Sequence, residues 1–183
     1  MNLPASVEGR ERARLFCALR LPEGALDAVC DWQADHLRGG RTVVRDHLHV
    51  TLAFLGHRPV DELDSVLAAM REAAAGAGPI RLVPERYRET PSVGMLVLSD
   101  LGGGATRLAT DLHGRLERLG VYEREQRPWL PHLTVLRFRE RPRLRPPLPE
   151  LGEVSPSDAA VYHSVLRSSG AQYVVVESFA LGG

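Results

Sequence analysis

The sequence predicts a single domain that contains both strands and helices and is built from two similar halves. Its 183 residues match the usual size of one domain, and 44% hydrophobic with 25% charged residues is typical of a globular protein. Short apolar runs alternate with segments of helical periodicity. One order of elements occurs twice, at about 14–56 and 94–138: a strand, a glycine-containing loop, a helix, a glycine and a strand that begins with histidine. Two such halves can form one pseudo-symmetric body with a cleft between them.

The first half is expected to follow a polar, flexible arm over residues 1–12. Apolar periodicity and glycine or proline boundaries then predict four elements: a strand over 14–21, a helix over 22–37, a strand within 43–55 and a helix over 60–75. Each helix carries an apolar stripe, with Val29 in the first and Val66 and Met70 in the second, so each is expected to pack one face on a sheet.

The second half repeats this order and adds a hairpin. The predicted elements are strands over 80–88 and 94–99, a helix over 105–119, a strand over 132–138 and a hairpin of strands over 159–166 and 173–181. Proline-rich residues 141–156 predict an extended loop. Arginines alternate from 137 to 145, which is compatible either with a basic ribbon for an RNA backbone or with a solvated edge and loop.

The charge composition excludes several classes of function. The 23 basic residues balance 23 acidic ones, which excludes a protein that binds nucleic acid through bulk positive charge. All the basic residues are arginine, so lysine chemistry is excluded and any anion site must use guanidinium groups. Cys17 and Cys30 lie in apolar segments, which favours a reducing cytoplasm. We expect no secretion signal and no membrane span, since no apolar stretch is long enough.

Two short motifs carry the chemistry that the sequence predicts. His49 leads H-V-T-L and His132 leads H-L-T-V, at matching places in the two repeats. Residues i and i+2 of a strand face the same side, so each strand presents one imidazole beside the hydroxyl of Thr51 or Thr134. A pseudo-twofold relation between the halves would bring both pairs into one cleft. One such motif alone is a weak signal, but two copies in matching repeats favour a catalytic site.

This set of groups suits phosphoester chemistry. A neutral histidine can take a proton from water, while a protonated one gives a proton to the leaving oxygen. Threonine hydroxyls and nearby arginines can hold the non-bridging oxygens. His47 and His49 also form an H-x-H pair, which would suit a metal-dependent hydrolase. No further ligands stand at helpful spacing, so we expect no metal ion and no cofactor.

The motifs and their context resemble the 2H phosphoesterase superfamily, and within it the RNA 2′,3′-cyclic phosphodiesterases, once called 2′-5′ RNA ligases. The strongest matches are L-H-V-T-L-A-F-L-G at 48–56 and R-P-W-L-P-H-L-T-V-L-R at 127–137, and the resemblance spans nearly the whole chain. It implies a bilobal α+β fold with antiparallel sheets lining a central cleft and helices outside. It also implies metal-independent hydrolysis of RNA or nucleotide 2′,3′-cyclic phosphates to 2′-phosphates.

The resemblance assigns a role to six residues. His49 and His132 are the catalytic pair. The resemblance favours His132 as the base on water and His49 as the acid on O3′, while the residues themselves allow either order. The hydroxyls of Thr51 and Thr134 hold the phosphate. The family also suggests that Phe54 and Arg137 sandwich the terminal base. Each lies five residues after a catalytic histidine, so strand parity turns it away from the cleft unless the strand contains a bulge or strong twist.

The sequence leaves other interpretations open. A protein of the same fold could bind nucleotides or RNA ends as a sensor, without significant turnover. Trp129 could stack on a base, although an anchoring role for its loop is favoured, and the histidines at 36, 57, 113 and 163 are expected at the surface. The expected substrates are RNA 3′ ends or cyclic nucleotides, and balanced charge without heptads favours a monomer.

Overall fold

The computed structural model describes residues 11–182, in which one antiparallel sheet carries three helices. The elements in chain order are β1 (Arg12–Leu19), α1 (Glu23–His36), β2 (Arg41–Thr42), β3 (Val50–Pro59), α2 (Leu63–Ala75), β4 (Leu82–Glu89), β5 (Val93–Asp100), α3 (Gly104–Arg118), β6 (His132–Arg137), β7 (Asp158–Arg167) and β8 (Gly170–Ala180). Short 3-10 turns precede β3, α2 and α3. No helix in this part of the chain is long and apolar enough to span a membrane.

The two halves of the molecule meet at the middle of the sheet. The strand order is β4-β5-β6-β3-β1-β7-β8, and β2 pairs with β6. The central strands β3 and β6 are joined where Val50 pairs with Leu133, and each of these residues directly follows a motif histidine. A pseudo-twofold axis therefore passes between the two motifs. The α+β fold with antiparallel strands is confirmed, and the sheets of the two halves form one continuous sheet.

Two predicted boundaries are wrong, namely the end of the first motif strand and the end of the arm, while the other bounds lie within three residues of those expected. The strand expected within 43–55 begins at Val50, after a 3-10 turn over Arg45–His47 that separates it from β2, and it continues beyond 55 to Pro59. Arg45 bonds Glu23 and Asp27 of α1 at this turn, which draws the segment away from an extended path. The predicted arm over 1–12 is too long, since Arg12 already pairs with Pro59. Residues 1–10 lie outside the described part.

The helices cover one face of the sheet and leave the other face to the cleft. The side chains of successive β1 residues lie on opposite faces of the sheet, so Cys17 packs in the main core and Phe16 lies on the cleft side. The helices contribute residues at helical spacing, namely Val29, Val66, Met70, Leu108, Leu112 and Leu116. Leu119, the residue that follows the end of α3, is 45% exposed.

Each motif strand contains a β-bulge three residues after its histidine. Thr51 and Ala53 pair with consecutive residues of β1, so Leu52 is an extra residue of β3. In β6, Val135 is the extra residue against β5. An extra residue shifts the alternation of side chains by one position. Phe54 and Arg137, five positions after the two histidines, therefore lie on the cleft face. The predicted stacking of a base between them requires this position.

The carbonyl of each bulge residue accepts a hydrogen bond from a buried side chain of a helix. His113 of α3 donates from Nε2 to Leu52 O at 2.7 Å, and Gln33 of α1 donates from Nε2 to Val135 O at 2.8 Å. Each helix thus supports the strand of the opposite half. His113 was expected at the surface and is instead 4% exposed, because it fills this role. Burial lowers the pKa of His113, so the ring is uncharged at neutral pH.

The proline-rich segment after β6 is a loop held by one buried carboxylate. Strand β6 ends at Arg137, and residues 141–153 form no strand, which confirms the predicted loop. Glu89 accepts hydrogen bonds from Arg141 Nε at 3.1 Å and from the backbone N–H groups of Arg143 and Leu144 at 2.9 and 2.8 Å. Burial alone would raise the pKa of Glu89, but these bonds outweigh it and lower the pKa.

We expect the His113→Leu and Gln33→Leu variants each to lose about 1–3 kcal/mol of folding free energy, because each leaves a buried bulge carbonyl with one fewer donor. Urea unfolding at pH 7 measures the loss. His36→Leu, at an exposed position of α1, is the control and is expected to change stability by less than about 0.5 kcal/mol. Wild-type stability in His113→Leu would contradict the role of this side chain.

Candidate active site

The predicted site residues lie together in a cleft of about 530 Å³ on the open face of the sheet. Its lining includes all six of them: His49, Thr51, Phe54, His132, Thr134 and Arg137. The central pair Val50–Leu133 places one histidine and one threonine on each side of the pseudo-twofold axis. The four motif side chains therefore surround the middle of one cleft, as the repeat predicted.

Both motif histidines are held in the same orientation by a backbone carbonyl two residues earlier. His49 Nδ1 lies 2.9 Å from His47 O, and His132 Nδ1 lies 2.8 Å from Leu130 O. A carbonyl oxygen only accepts, so Nδ1 of each ring carries the hydrogen. The other nitrogen, Nε2, is then the one that exchanges protons. In His49, Nε2 accepts a hydrogen bond from the Thr51 hydroxyl at 3.0 Å.

The ring of His49 is enclosed by aromatic side chains. Phe16 stacks on it with ring centroids 4.9 Å apart, and Phe16 stacks in turn on Tyr162 at 4.8 Å. Burial lowers the pKa of His49 to about 4. The backbone hydrogen bond to His47 raises this pKa, while repulsion from His132, His47 and Arg137 lowers it further. His49 is therefore neutral in the unliganded protein at pH 7, and its Nε2 lone pair accepts the hydrogen bond from Thr51.

His47 forms part of the cleft wall. Its ring stacks on Tyr173 with centroids 4.2 Å apart, while its carbonyl orients His49. Burial lowers the pKa of His47, and Arg137 and Arg41 add to this effect while Asp46 opposes it. Within residues 11–182, no three His, Cys, Asp or Glu side chains are grouped so that they could hold a metal ion.

Phe54 and Arg137 lie on the cleft side because of the two bulges. Phe54 is 51% exposed, and the guanidinium carbon of Arg14 lies 5.0 Å from the centre of its ring. Arg137, at the end of β6, is also exposed and lines the cleft. These two side chains stand at equivalent places in the two halves, one on each motif strand. A flat group bound between them could stack on both.

Trp129 connects the approach to the second motif with the first motif strand. Its indole N–H donates to Thr51 O at 3.0 Å, and the side chain packs against the main core. This contact favours the anchoring role over base stacking. It also links the relative positions of the two motifs, since the chain reaches His132 three residues later.

Several residues of the cleft were not identified from the sequence, among them Arg14, Arg41 and Tyr173. Arg14 alternates with Phe16 along β1, so strand periodicity could have placed both on one face. Arg41 lies in a strand of only two residues, and the partners of Tyr173 come from distant parts of the chain. Neither of these positions has a local sequence signal.

The arrangement places the Nε2 atoms of the two motif histidines, the hydroxyls of the two motif threonines and three guanidinium groups around one cleft, which suits an anionic phosphoester. The profile of the 2′-5′ RNA ligase superfamily matches residues 24–170. The RNA 2′,3′-cyclic phosphodiesterase of Thermus thermophilus is 34% identical over 184 residues, covering 93% of this chain and 91% of that protein.

A second relative, the RNA 2′,3′-cyclic phosphodiesterase of Escherichia coli, is 28% identical over 189 residues, covering 93% of this chain and 98% of that protein. The crystal structure of Escherichia coli LigT in apo form superposes with a TM-score of 0.81 at 25% identity, covering 94% of this chain and 99% of that one. The profile match and the identity to the Thermus protein both extend over most of the sequence. The chain therefore belongs to the 2′-5′ RNA ligase superfamily.

Proposed function

We propose that this protein hydrolyses the 2′,3′-cyclic phosphate at the end of an RNA chain, or of a nucleotide, to a 2′-phosphate. The observation that carries the proposal is the pair of histidines whose Nδ1 atoms are tied to the backbone, which leaves two Nε2 atoms for one cleft. Relatives that match over most of the chain bear the name RNA 2′,3′-cyclic phosphodiesterase, which supports the same reaction.

In the proposed reaction, one histidine accepts a proton and the other gives one. The oxygen of a water molecule attacks phosphorus while His132 Nε2 takes a proton from that water. The bond between phosphorus and O3′ breaks, and His49 Nε2 gives its proton to O3′. The products are a free 3′-hydroxyl and a 2′-phosphate. This order of the two histidines follows the resemblance to the family, and the near-symmetric geometry accommodates it.

His49 must gain a proton in order to act as the acid. Burial and nearby positive charges keep it neutral in the free protein. A cyclic phosphate carries a negative charge, so its arrival beside Nε2 offsets that repulsion and favours the protonated ring. The Thr51 hydroxyl, which bonds Nε2 in the free protein, is then available to donate to a non-bridging oxygen together with Thr134. Binding and protonation are therefore coupled.

The terminal base is proposed to stack between Phe54 and Arg137. This contact does not read the identity of the base, because every base has a flat face that can stack. The reaction uses no metal ion or cofactor in this proposal. The cytoplasmic location and the monomeric state expected from the sequence remain predictions.

We expect the protein to hydrolyse an RNA oligomer with a 2′,3′-cyclic phosphate end in the presence of EDTA, and to release only a 2′-phosphate. His49→Ala and His132→Ala should each lower kcat by about 10²–10⁴-fold, because each removes one proton-transfer group. Phosphorus NMR identifies the product, and single-turnover assays give the rates. His36→Ala, which alters an exposed histidine of α1, should keep the wild-type rate.

Three results would count against this assignment. Full activity in either motif variant would contradict the paired mechanism. Loss of activity in EDTA that is restored by metal would favour a hydrolase that uses His47 and His49 as ligands. Tight binding of the oligomer without turnover would favour a sensor.

The depressed pKa of His49 predicts an unusually acidic limb in the pH profile of kcat/KM. Catalysis needs one neutral and one protonated histidine, and the doubly protonated pair forms only where His49 also gains a proton, near pH 4. We therefore expect kcat/KM to be retained from pH 6.5 down to 5 and to fall near pH 4, with circular dichroism confirming the fold at each pH. An acid limb at the ordinary histidine pKa of 6.5 would contradict the buried environment of His49.

A further inference from the structure

Two arginines are placed directly opposite each other at one end of the cleft. Arg41 of β2 and Arg137 of β6 are Cα partners in the antiparallel pairing, so their backbones lie about 4.5–5.5 Å apart. Both side chains are exposed and line the cleft that contains His49 and His132. Like charges at such positions repel each other and destabilise the sheet.

The repulsion between these two arginines is not relieved by acidic side chains. Within residues 11–182, neither guanidinium has a carboxylate at ion-pair distance, whereas Arg45 and Arg115 each have two such partners. Arg14, the other arginine of the cleft, is engaged with the ring of Phe54. Among the described residues, the guanidinium groups of Arg41 and Arg137 therefore have no carboxylate partner.

The fold positions Arg41 firmly beside β6. A Cβ atom on Gly40 would lie 2.6 Å from Arg137 O, so only glycine permits this close approach of the two chains. Val43 N–H donates to Val135 O at 3.1 Å, and the buried Gln33 amide donates to the carbonyls of both residues. The segment that carries Arg41 is thus fastened on both sides of the arginine.

We infer that Arg41 and Arg137 together bind a second phosphate of the substrate, on the 5′ side of the terminal nucleoside. This inference rests on the proposed function, in which the cyclic phosphate occupies the centre between the two histidines. Two guanidinium forks can hold one phosphate through charge-assisted hydrogen bonds, and the anion cancels their repulsion. Arg137 can stack its planar face on the base while its edge N–H groups contact the phosphate.

The second phosphate could come from two chemical sources. In an RNA chain it is the phosphodiester that links the terminal nucleotide to the preceding one. In a small substrate it is a 5′-phosphate on the same nucleoside. Adenosine 2′,3′-cyclic phosphate lacks both, so it reports the reaction at the centre of the cleft alone.

The test compares three substrates: adenosine 2′,3′-cyclic phosphate, its 5′-phosphorylated form, and the dinucleotide ApA with a 2′,3′-cyclic phosphate end. We expect kcat/KM to be about 10–100-fold higher for at least one substrate with a second phosphate than for the first compound. Arg41→Gln should bring this ratio near 1. Arg139→Gln should keep the wild-type ratio, because Arg139 is exposed two residues beyond Arg137 but does not line the cleft.

A stability measurement separates binding from a structural role. Since removal of one of two opposed charges relieves repulsion, the Tm of Arg41→Gln should equal or exceed that of the wild type. Arg41→Lys, which keeps the charge but not the fork, should retain part of the substrate ratio and gives a second test if the glutamine variant misfolds.

The outcomes have distinct meanings. A gain for the 5′-phosphorylated compound alone identifies a terminal phosphate as the ligand, and a gain for ApA alone identifies the linking phosphodiester. A wild-type ratio near 1 for both, or an equal loss of the ratio in Arg41→Gln and Arg139→Gln, overturns the second-phosphate site and leaves the proposed reaction intact. Hydrolysis of none of the three substrates contradicts the proposed function itself.

Discussion

The shape of the cleft depends on two β-bulges, at Leu52 in β3 and at Val135 in β6. In an uninterrupted strand, the residue five positions after a motif histidine would face the core. A phenylalanine could be accommodated there, but burial of the guanidinium of Arg137 without a partner would be strongly unfavourable. The bulges bring both residues to the histidine face, and Gln33 and His113 satisfy carbonyls that the bulges expose. Each bulge is therefore held by a hydrogen bond from one buried helix side chain.

The same bonds hold the two halves together across the pseudo-twofold axis. The strands β3 and β6 share a single paired position, which alone is a weak connection. Gln33 crosses from α1 to β6, His113 crosses from α3 to β3, and Trp129 reaches the Thr51 carbonyl from the segment before β6. The proposed paired-histidine catalysis needs both Nε2 atoms at fixed positions, because a shift of about 1 Å can lower a rate substantially. The crossed contacts meet that requirement.

Much of the fold and the centre of the site could be predicted from the sequence. The motif strands, the helices and the place of the four motif residues in one cleft followed from periodicity and from the repeated H-x-T pattern. The bulges had no local signal, because Leu52 and Val135 are ordinary apolar strand residues whose extra position depends on neighbouring strands. His113 was misjudged for the same reason, since the carbonyl that it bonds becomes unpaired only in the folded sheet. Arg41 was missed because its two-residue strand exists only against β6.

The tautomers of His49 and His132 test the central claim most directly. Two-dimensional long-range nitrogen-15 NMR of protein labelled in its histidine rings distinguishes the two neutral forms, and the single-alanine variants assign the signals. In the neutral state, we expect both rings to carry their hydrogen on Nδ1, because each donates to the carbonyl two residues earlier. A hydrogen on Nε2 in the neutral form of either ring would contradict this expectation, since that nitrogen could not then accept a proton from water or, in His49, a hydrogen bond from the Thr51 hydroxyl.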